Sequence, residues 1–412
     1  MTASAHFRTF TVGLQRYTVL SGSLMKDETV IPYVQGDVTV PVTAENYAAI
    51  KALDPRTGPR GVLTLVQRFG ESDPVSALTA ELTGRTVADL TTTWDNWTAK
   101  NVSDTYGRPY NDFGMKPSTR LTGSLGIREV SIDYDSWTAT VRLASDEARL
   151  MDTINTATVD RVPDDSTVRE AVQMVLGYIG SFLQVDDGVD HNFRSDAGGW
   201  APGQSAWSYV QPLVESAGLR LYCDETGRWH LVEQETSSTD VTRLQSAQVS
   251  SMNTRTDREG NWYDAVMIEY RWRDVSDVEH VVYDYAASTE NPTRPRFIRR
   301  DRVWPGDGAA ASILRRDKLS GARTQVSAVA DYSVSTDGTL AVSFTSLGEV
   351  LAGDIESVQW FFDDDRMTVI AKDSTTDVNP TSWLIAPESY PWADVPAGID
   401  WTEAGVLVET EA

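Results

Sequence analysis

Four histidines, one cysteine, sixty acidic residues and thirteen tryptophans are the side chains with which this 412-residue chain can do chemistry. His6 lies near the N-terminus, His191 in a polar loop, and His230 and His280 in strand-like runs, so no two are spaced as a metal or catalytic pair. The sequence has no His-Glu-x-x-His, no Gly-x-Ser-x-Gly, no Gly-x-x-x-x-Gly-Lys and no Gly-x-Gly-x-x-Gly, which removes the usual hydrolase, nucleotide and dinucleotide signatures. Asp186, Asp187, Asp190 and Asn192 form an oxygen-rich loop suited to calcium, but the acids do not alternate before Gly188 as an EF-hand requires. Asp363, Asp364 and Asp365 read as a hairpin turn between two strands, not as a carboxylate site. A lone Cys223 within a strand pattern reads as a small buried hydrophobe. On these grounds no residue is assigned as catalytic, cofactor-binding or metal-ligating, and the chain is not expected to be an enzyme.

Tryptophans with carboxylates leave one alternative open, a carbohydrate-binding or depolymerising protein acting on a cell surface, since sugar cleavage needs only two correctly spaced acids. Trp137, Trp207 and Trp229 fall at positions that read as core, whereas Trp94, Trp97, Trp200 and Trp304 lie in loops where they could stack on sugar rings or pack at an interface. No repeat of the kind that builds a depolymerase β-helix is visible.

The elements that would position these residues are mostly strands. Residues 7–12, 16–23, 38–42 and 61–69 are rich in Val, Thr, Leu and aromatics and are broken by Gly, Pro and Asp. Residues 71–117 loosen into short polar runs, a long excursion whose tip is a candidate contact surface; the sheet pattern then resumes over 120–144. Ser145, Asp146 and Glu147 suit a helix N-terminus. Thr167 to Glu170 fits a capping box, and Val168, Val172, Val175, Leu176, Ile179 and Leu183 recur at helical spacing. Ser205 caps a second helix presenting Trp207, Val210, Val214 and Ala217, with Gly218 as its stop. Two short strands then flank the turn Asp224-Glu225-Thr226-Gly227. Strands return at 263–272, 280–285, 325–333, 339–344, 357–362 and 366–371, with one helix over 309–319 between them.

Length and patterning thus predict an α+β, mostly β protein. Residues 1–155 form a first β-barrel-like domain, 156–245 a helix-helix-hairpin domain, 246–385 a second β-barrel-like domain, and 386–412 an acidic C-terminal arm. Neither a bilayer-spanning run nor a secretory h-region is present, so membrane insertion and secretion are not expected. A net charge of −24 excludes a general nucleic-acid binder, although not a wall past which DNA must slide. Residues 291–330 carry nine basic side chains against three acids, and residues 331–412 carry sixteen acids against Arg366 and Lys372, two blocks that either pair with each other or form separate solvated faces.

Three segments resemble the baseplate hub, or tail-hub minor tail protein, of long-tailed actinobacteriophages. They are Leu125 to Asp135 running into Ala139 to Ala148, the Trp207 helix with Ala217 to Tyr222 and the Asp224 turn, and the order of elements from Leu340 through Gly353 and Asp354 to Ile370. The resemblance implies two β-barrel-like domains related to tail-tube proteins and a homotrimer forming a pseudo-sixfold ring at the virion's tail tip. It also implies partners: a distal tail protein or tail tube above, tip or fibre proteins below, a tape-measure protein, and DNA passing through the channel without specific binding. Such a protein is made in the host cytoplasm and needs no cofactor. The longer hubs carry fibre, peptidase or lysozyme-like modules beyond the point corresponding to Ala386, and cell-wall cleavage is not expected here.

Overall fold

The computed structural model describes residues 4–70, 115–184, 189–233, 241–245, 249–256, 262–274, 276–319, 321–344 and 349–378. The excursion over 71–117 lies almost wholly outside the described residues, as do Trp94, Trp97, part of the Asp186 loop and the arm over 386–412.

The chain opens with strands β1 (Ser4–Val12), β2 (Gln15–Thr18), β3 (Ser21–Asp27) and β4 (Val34–Pro41), helix α1 (Tyr47–Lys51), and strands β5 (Arg60–Gly70), β6 (Met115–Asp133) and β7 (Thr138–Ala144). The run 16–23 was expected to be one strand. It divides between β2 and β3, because β2 follows β1 in a hairpin while β3 leaves to pair with β4. β6 bridges two neighbours: it pairs with β5 up to Gly126 and with β7 from Gly126 onward, and a bulge between Ile127 and Glu129 marks its bend.

Helix α2 (Glu147–Asp152) follows, then α3 (Val168–Tyr178), α4 (Ala206–Ser216) and the hairpin β8 (Leu219–Cys223) and β9 (Trp229–Glu233). Thr167 caps α3 by accepting from the Glu170 amide, and Ser205 caps α4 by accepting from the Ser208 amide. α3 ends before Leu183 because Gly180 turns the chain at φ 68° and the Ser181 amide bonds back to the Leu176 carbonyl. Ser145 does not cap α2; it binds the Val34 amide instead and ties this turn to β4. The apolar faces of α3 and α4 close with the hairpin on their own core, in which Trp200, Tyr209 and Trp229 are fully buried.

The remaining elements are β10 (Val241–Gln245), β11 (Val249–Thr256), β12 (Ala265–Arg273), β13 (Glu279–Ala287), β14 (Pro295–Arg300), α5 (Ala309–Leu319), β15 (Ala322–Val329), β16 (Thr339–Phe344), β17 (Glu349–Phe361) and β18 (Arg366–Val378). The span 246–385 therefore feeds two sheets. β13, β12 and β14 make a three-stranded sheet covered by α5, with Val266, Ile268, Tyr270, Ile313 and Leu314 between them. β11, β15, β18 and β17 continue the large sheet, whose path runs β11-β15-β18-β17-β3-β4-β7-β6-β5-β1-β2 with β16 and β10 branching from β17. A single apolar core, from Phe10 through Trp360 to Ala371, lines this sheet across both halves. The result is an α+β, mostly β fold with large antiparallel sheets.

Candidate functional site

The side chains first considered for chemistry do not converge. His230 stacks on Tyr222 and meets Asp224 at 3.3 Å, His280 stacks on Trp272 and meets Asp274 at 2.9 Å, and His6 packs edge-on to Tyr332. Burial, helped by Arg8, pulls His6 down to about 4, so it is neutral at pH 7. Asp363 to Asp365 lie in the turn between β17 and β18; Asp365, at φ 58°, reaches back to form an ion pair with Arg8 of β1. Among the described residues no three His, Cys, Asp or Glu side chains cluster as a metal site. Cys223 is buried, and burial, with Glu147 beside it, pushes its thiol well above the usual range.

Two tryptophans are placed differently from expectation. Trp137, read as core, is 55% exposed, because it occupies the β6–β7 turn at φ 51°, edge-on to Tyr47 and Tyr134. Trp200, read as a loop residue able to stack on sugars, is fully buried; its ring packs between Tyr178 and Tyr209 and its Nε1 donates to the Gln204 carbonyl. The basic block finds partners on both sides of residue 331. Arg296 binds Asp317, Arg299 binds Glu269 and Arg300 binds Glu215, all acids before residue 331, while Arg323 alone of these reaches into the acidic block, at Glu356.

Two features of the described residues stand out as candidate sites. The first is the sheet's own backbone. β17 residues Ser357 to Phe361 pair with β3 residues Asp27 to Ser23, joining the C-terminal half of the sheet to the N-terminal half. Leu24, Val358 and Trp360 are fully buried at this junction. At the far ends of the path, β11 and β2 have a paired strand on one side only among the described residues. β11 is exposed along nearly its whole length and carries Ser, Asn, Thr and Arg. An open strand of this kind offers unpaired N–H and C=O groups to another chain.

The second is a cavity of about 150 Å³ where the large sheet, the helix lobe and α5 meet. Glu28, in the β3–β4 connection, binds Arg220 of β8 at 2.7 Å and Lys372 of β18 at 2.8 Å. The Arg220 guanidinium lies over the rings of Tyr33 and Tyr222 at 5.0 and 4.3 Å. Glu147, the first residue of α2, is 1% exposed; its Oε1 accepts from the Cys223 amide at 2.7 Å, and its Oε2 is buried without a hydrogen-bond partner. Desolvation raises its pKa to about 7. Glu356 of β17 accepts from Arg323 at 2.6 Å and is likewise raised by burial. Sequence reasoning passed over these residues: Glu147 reads as a first-turn acid, Arg220 as one position of a strand, and Glu28 and Glu356 belong to no motif. Their contacts lie 33 to 344 residues apart in sequence, and no local spacing carries that signal.

No protein-family model matches this chain, and no curated protein matches its sequence. Solved structures do. A tail protein from Neisseria meningitidis MC58 superposes with a TM-score of 0.52 at 12% identity, covering 90% of this chain and 97% of that one. The prophage MuSo2 43 kDa tail protein from Shewanella oneidensis gives 0.52 at 13% identity, covering 89% and 98%. This chain thus shares its fold with these two tail proteins along nearly the full length of each.

Proposed function

We propose that the chain is a structural protein of a phage-type tail, acting without catalysis in the virion. In this reading it is a trimeric baseplate hub that adapts a sixfold tail tube to a threefold tip and surrounds the DNA exit channel. One observation carries most of the weight: a sheet of two halves fused at β17–β3, whose end strands β11 and β2 are paired on one side only among the described residues, in a fold shared end to end with two tail proteins. Unlike edges on one chain, here β11, β2 and the branch strand β10, favour head-to-tail contacts, and such contacts close into a ring when the rotation between neighbours divides the circle. A net charge of −24 suits a wall that DNA must pass, because acidic surfaces repel phosphates.

Neighbours above and below the ring are other tail and tip proteins, a tape-measure protein among them. The experiment is the mass of the purified chain by light scattering, followed by electron microscopy of the peak. A threefold mass with ring-shaped particles is the expected result. A species that stays monomeric both alone and with its neighbouring tail proteins would reject the ring.

A further inference from the structure

The interlobe cavity holds an imbalance that the protein's own side chains do not resolve. Glu147 Oε2 and Glu356 Oε2 are both buried with no hydrogen-bond partner, while Arg220 Nη2 is the one cavity-lining donor in the same condition among the described residues. The wall acids other than Glu147 each have an ion pair: Glu28 with Arg220 and Lys372, Glu215 with Arg300, and Glu356 with Arg323 through its other oxygen. Glu147 has no ion pair at all among the described residues, although it is the most deeply buried acid in the wall. A buried carboxylate oxygen left unpaired costs free energy that a matching donor recovers. One part of the remaining wall is apolar, formed by Trp207, Val214, Leu221 and Ile313, and another is polar, with Gln211 and Ser312 beside the arginines of α5.

We propose that this cavity is a binding site for a guanidinium or ammonium group on a short apolar stem, its N–H donors shared between Glu147 and Glu356 and its stem lying along Trp207. The volume suits such a group. At about 30 Å³ per water, about five waters or a four-carbon alkyl guanidinium fill it. Guanidinium is the better match of the two, because its fork of five donors can serve two carboxylates from one plane. The same chemistry is presented by a free alkyl amine and by a Lys or Arg side chain of a neighbouring protein. This inference concerns the isolated chain and does not rest on the tail reading.

Arg315 and Arg316 also line the cavity, from α5, and they would favour the opposite ligand if they governed it. The test therefore sets cation against anion. Agmatine, the blocked peptide acetyl-Gly-Arg-Gly-amide and inorganic phosphate are titrated separately into the full chain by calorimetry at constant ionic strength. Agmatine is expected to bind, and Glu147→Gln and Glu356→Gln are each expected to weaken it at least tenfold, with folding of both variants checked by circular dichroism. Peptide binding as tight as that of agmatine identifies a protein side chain as the ligand, and exclusion of the peptide identifies a free amine; either supports the site. Absence of agmatine binding at millimolar concentration, agmatine binding unchanged in both variants, or a preference for phosphate overturns it.

Discussion

Between β17 and β3 the halves of the large sheet meet through five register pairs and a dry layer of Leu24, Val358 and Trp360, whereas the helix lobe and α5 meet that sheet around a cavity walled by charge. The first junction is a strand ladder over a packed core, in which every residue removed costs contact area. The second depends on matched ions at partial exposure: Glu28, Arg220 and Lys372 are 15%, 18% and 19% exposed. Close packing makes the ladder a fixed joint. The ionic junction keeps its geometry only while each charge has its partner, which makes it the part of the molecule most open to ligands, salt and pH.

Truncation at the dry junction is the severest way to break this contrast. Trp360 is fully buried, its Nε1 donates to the Asp331 carbonyl at 2.8 Å, and its ring packs against Tyr332 at 6.3 Å. Trp360→Ala is expected to lower unfolding stability by about 3–5 kcal/mol, the usual cost of emptying an aromatic site in a core. The loss should be insensitive to salt between low and molar concentrations when followed by urea denaturation. A marked salt dependence would show that charge, not packing, holds the seam.

The charged junction responds differently. Glu28→Ala leaves Arg220 and Lys372 facing each other without their shared acid, and about 2–3 kcal/mol should be lost, below the cost at a fully buried pair because these side chains keep some water. In molar salt the difference between Glu28→Ala and the parent should shrink, since screening weakens both the pair and the repulsion left behind. An undiminished difference would place Glu28 with the packed core.

The same contrast explains what the sequence discloses. Capped, amphipathic α3 and α4, the β8–β9 hairpin around Gly227 at φ 87°, and α5 are legible because one short window holds both the period and its stop signal. β11 and β14 are not: Val249–Thr256 is exposed on both faces and so never alternates, and Pro295–Arg300 opens on proline and carries three arginines. The join of Ser357 to Phe361 with Asp27 to Ser23 is equally hidden, since strand patterns do not name their partners across more than 300 residues. Gly308 belongs to this class too. At φ 126°, with the Ser216 carbonyl where a Cβ would stand, it sets how closely α5 approaches the end of α4, yet in sequence it is one more loop glycine.

The mildest perturbation is the most discriminating. Glu147 titrates near 7 in the folded chain against 4.5 as the ordinary value, so the folded state keeps its proton where the unfolded chain has lost it. For an acid raised in this way the sign is fixed: there is no penalty below pH 4.5, stability falls as pH rises from 4.5 to 7, and the full cost, about 3 kcal/mol at most, persists above. His6, lowered to about 4, works in the opposite sense, because its contribution is complete above pH 6.5 and is lost as pH falls toward 4. The two overlap in a single melting curve, so the informative quantity is the difference between Glu147→Gln and the parent, from which His6 cancels. That difference is expected to be near zero at pH 4.5 and to favour the variant by about 2 kcal/mol at pH 8, the amide recovering most but not all of the cost because its own N–H groups need partners. Saturating agmatine should close the gap at pH 8 from the parent's side, since a bound cation supplies what the buried carboxylate lacks. A pH-independent difference would mean that Glu147 is ionised at no cost, with the cavity already balanced.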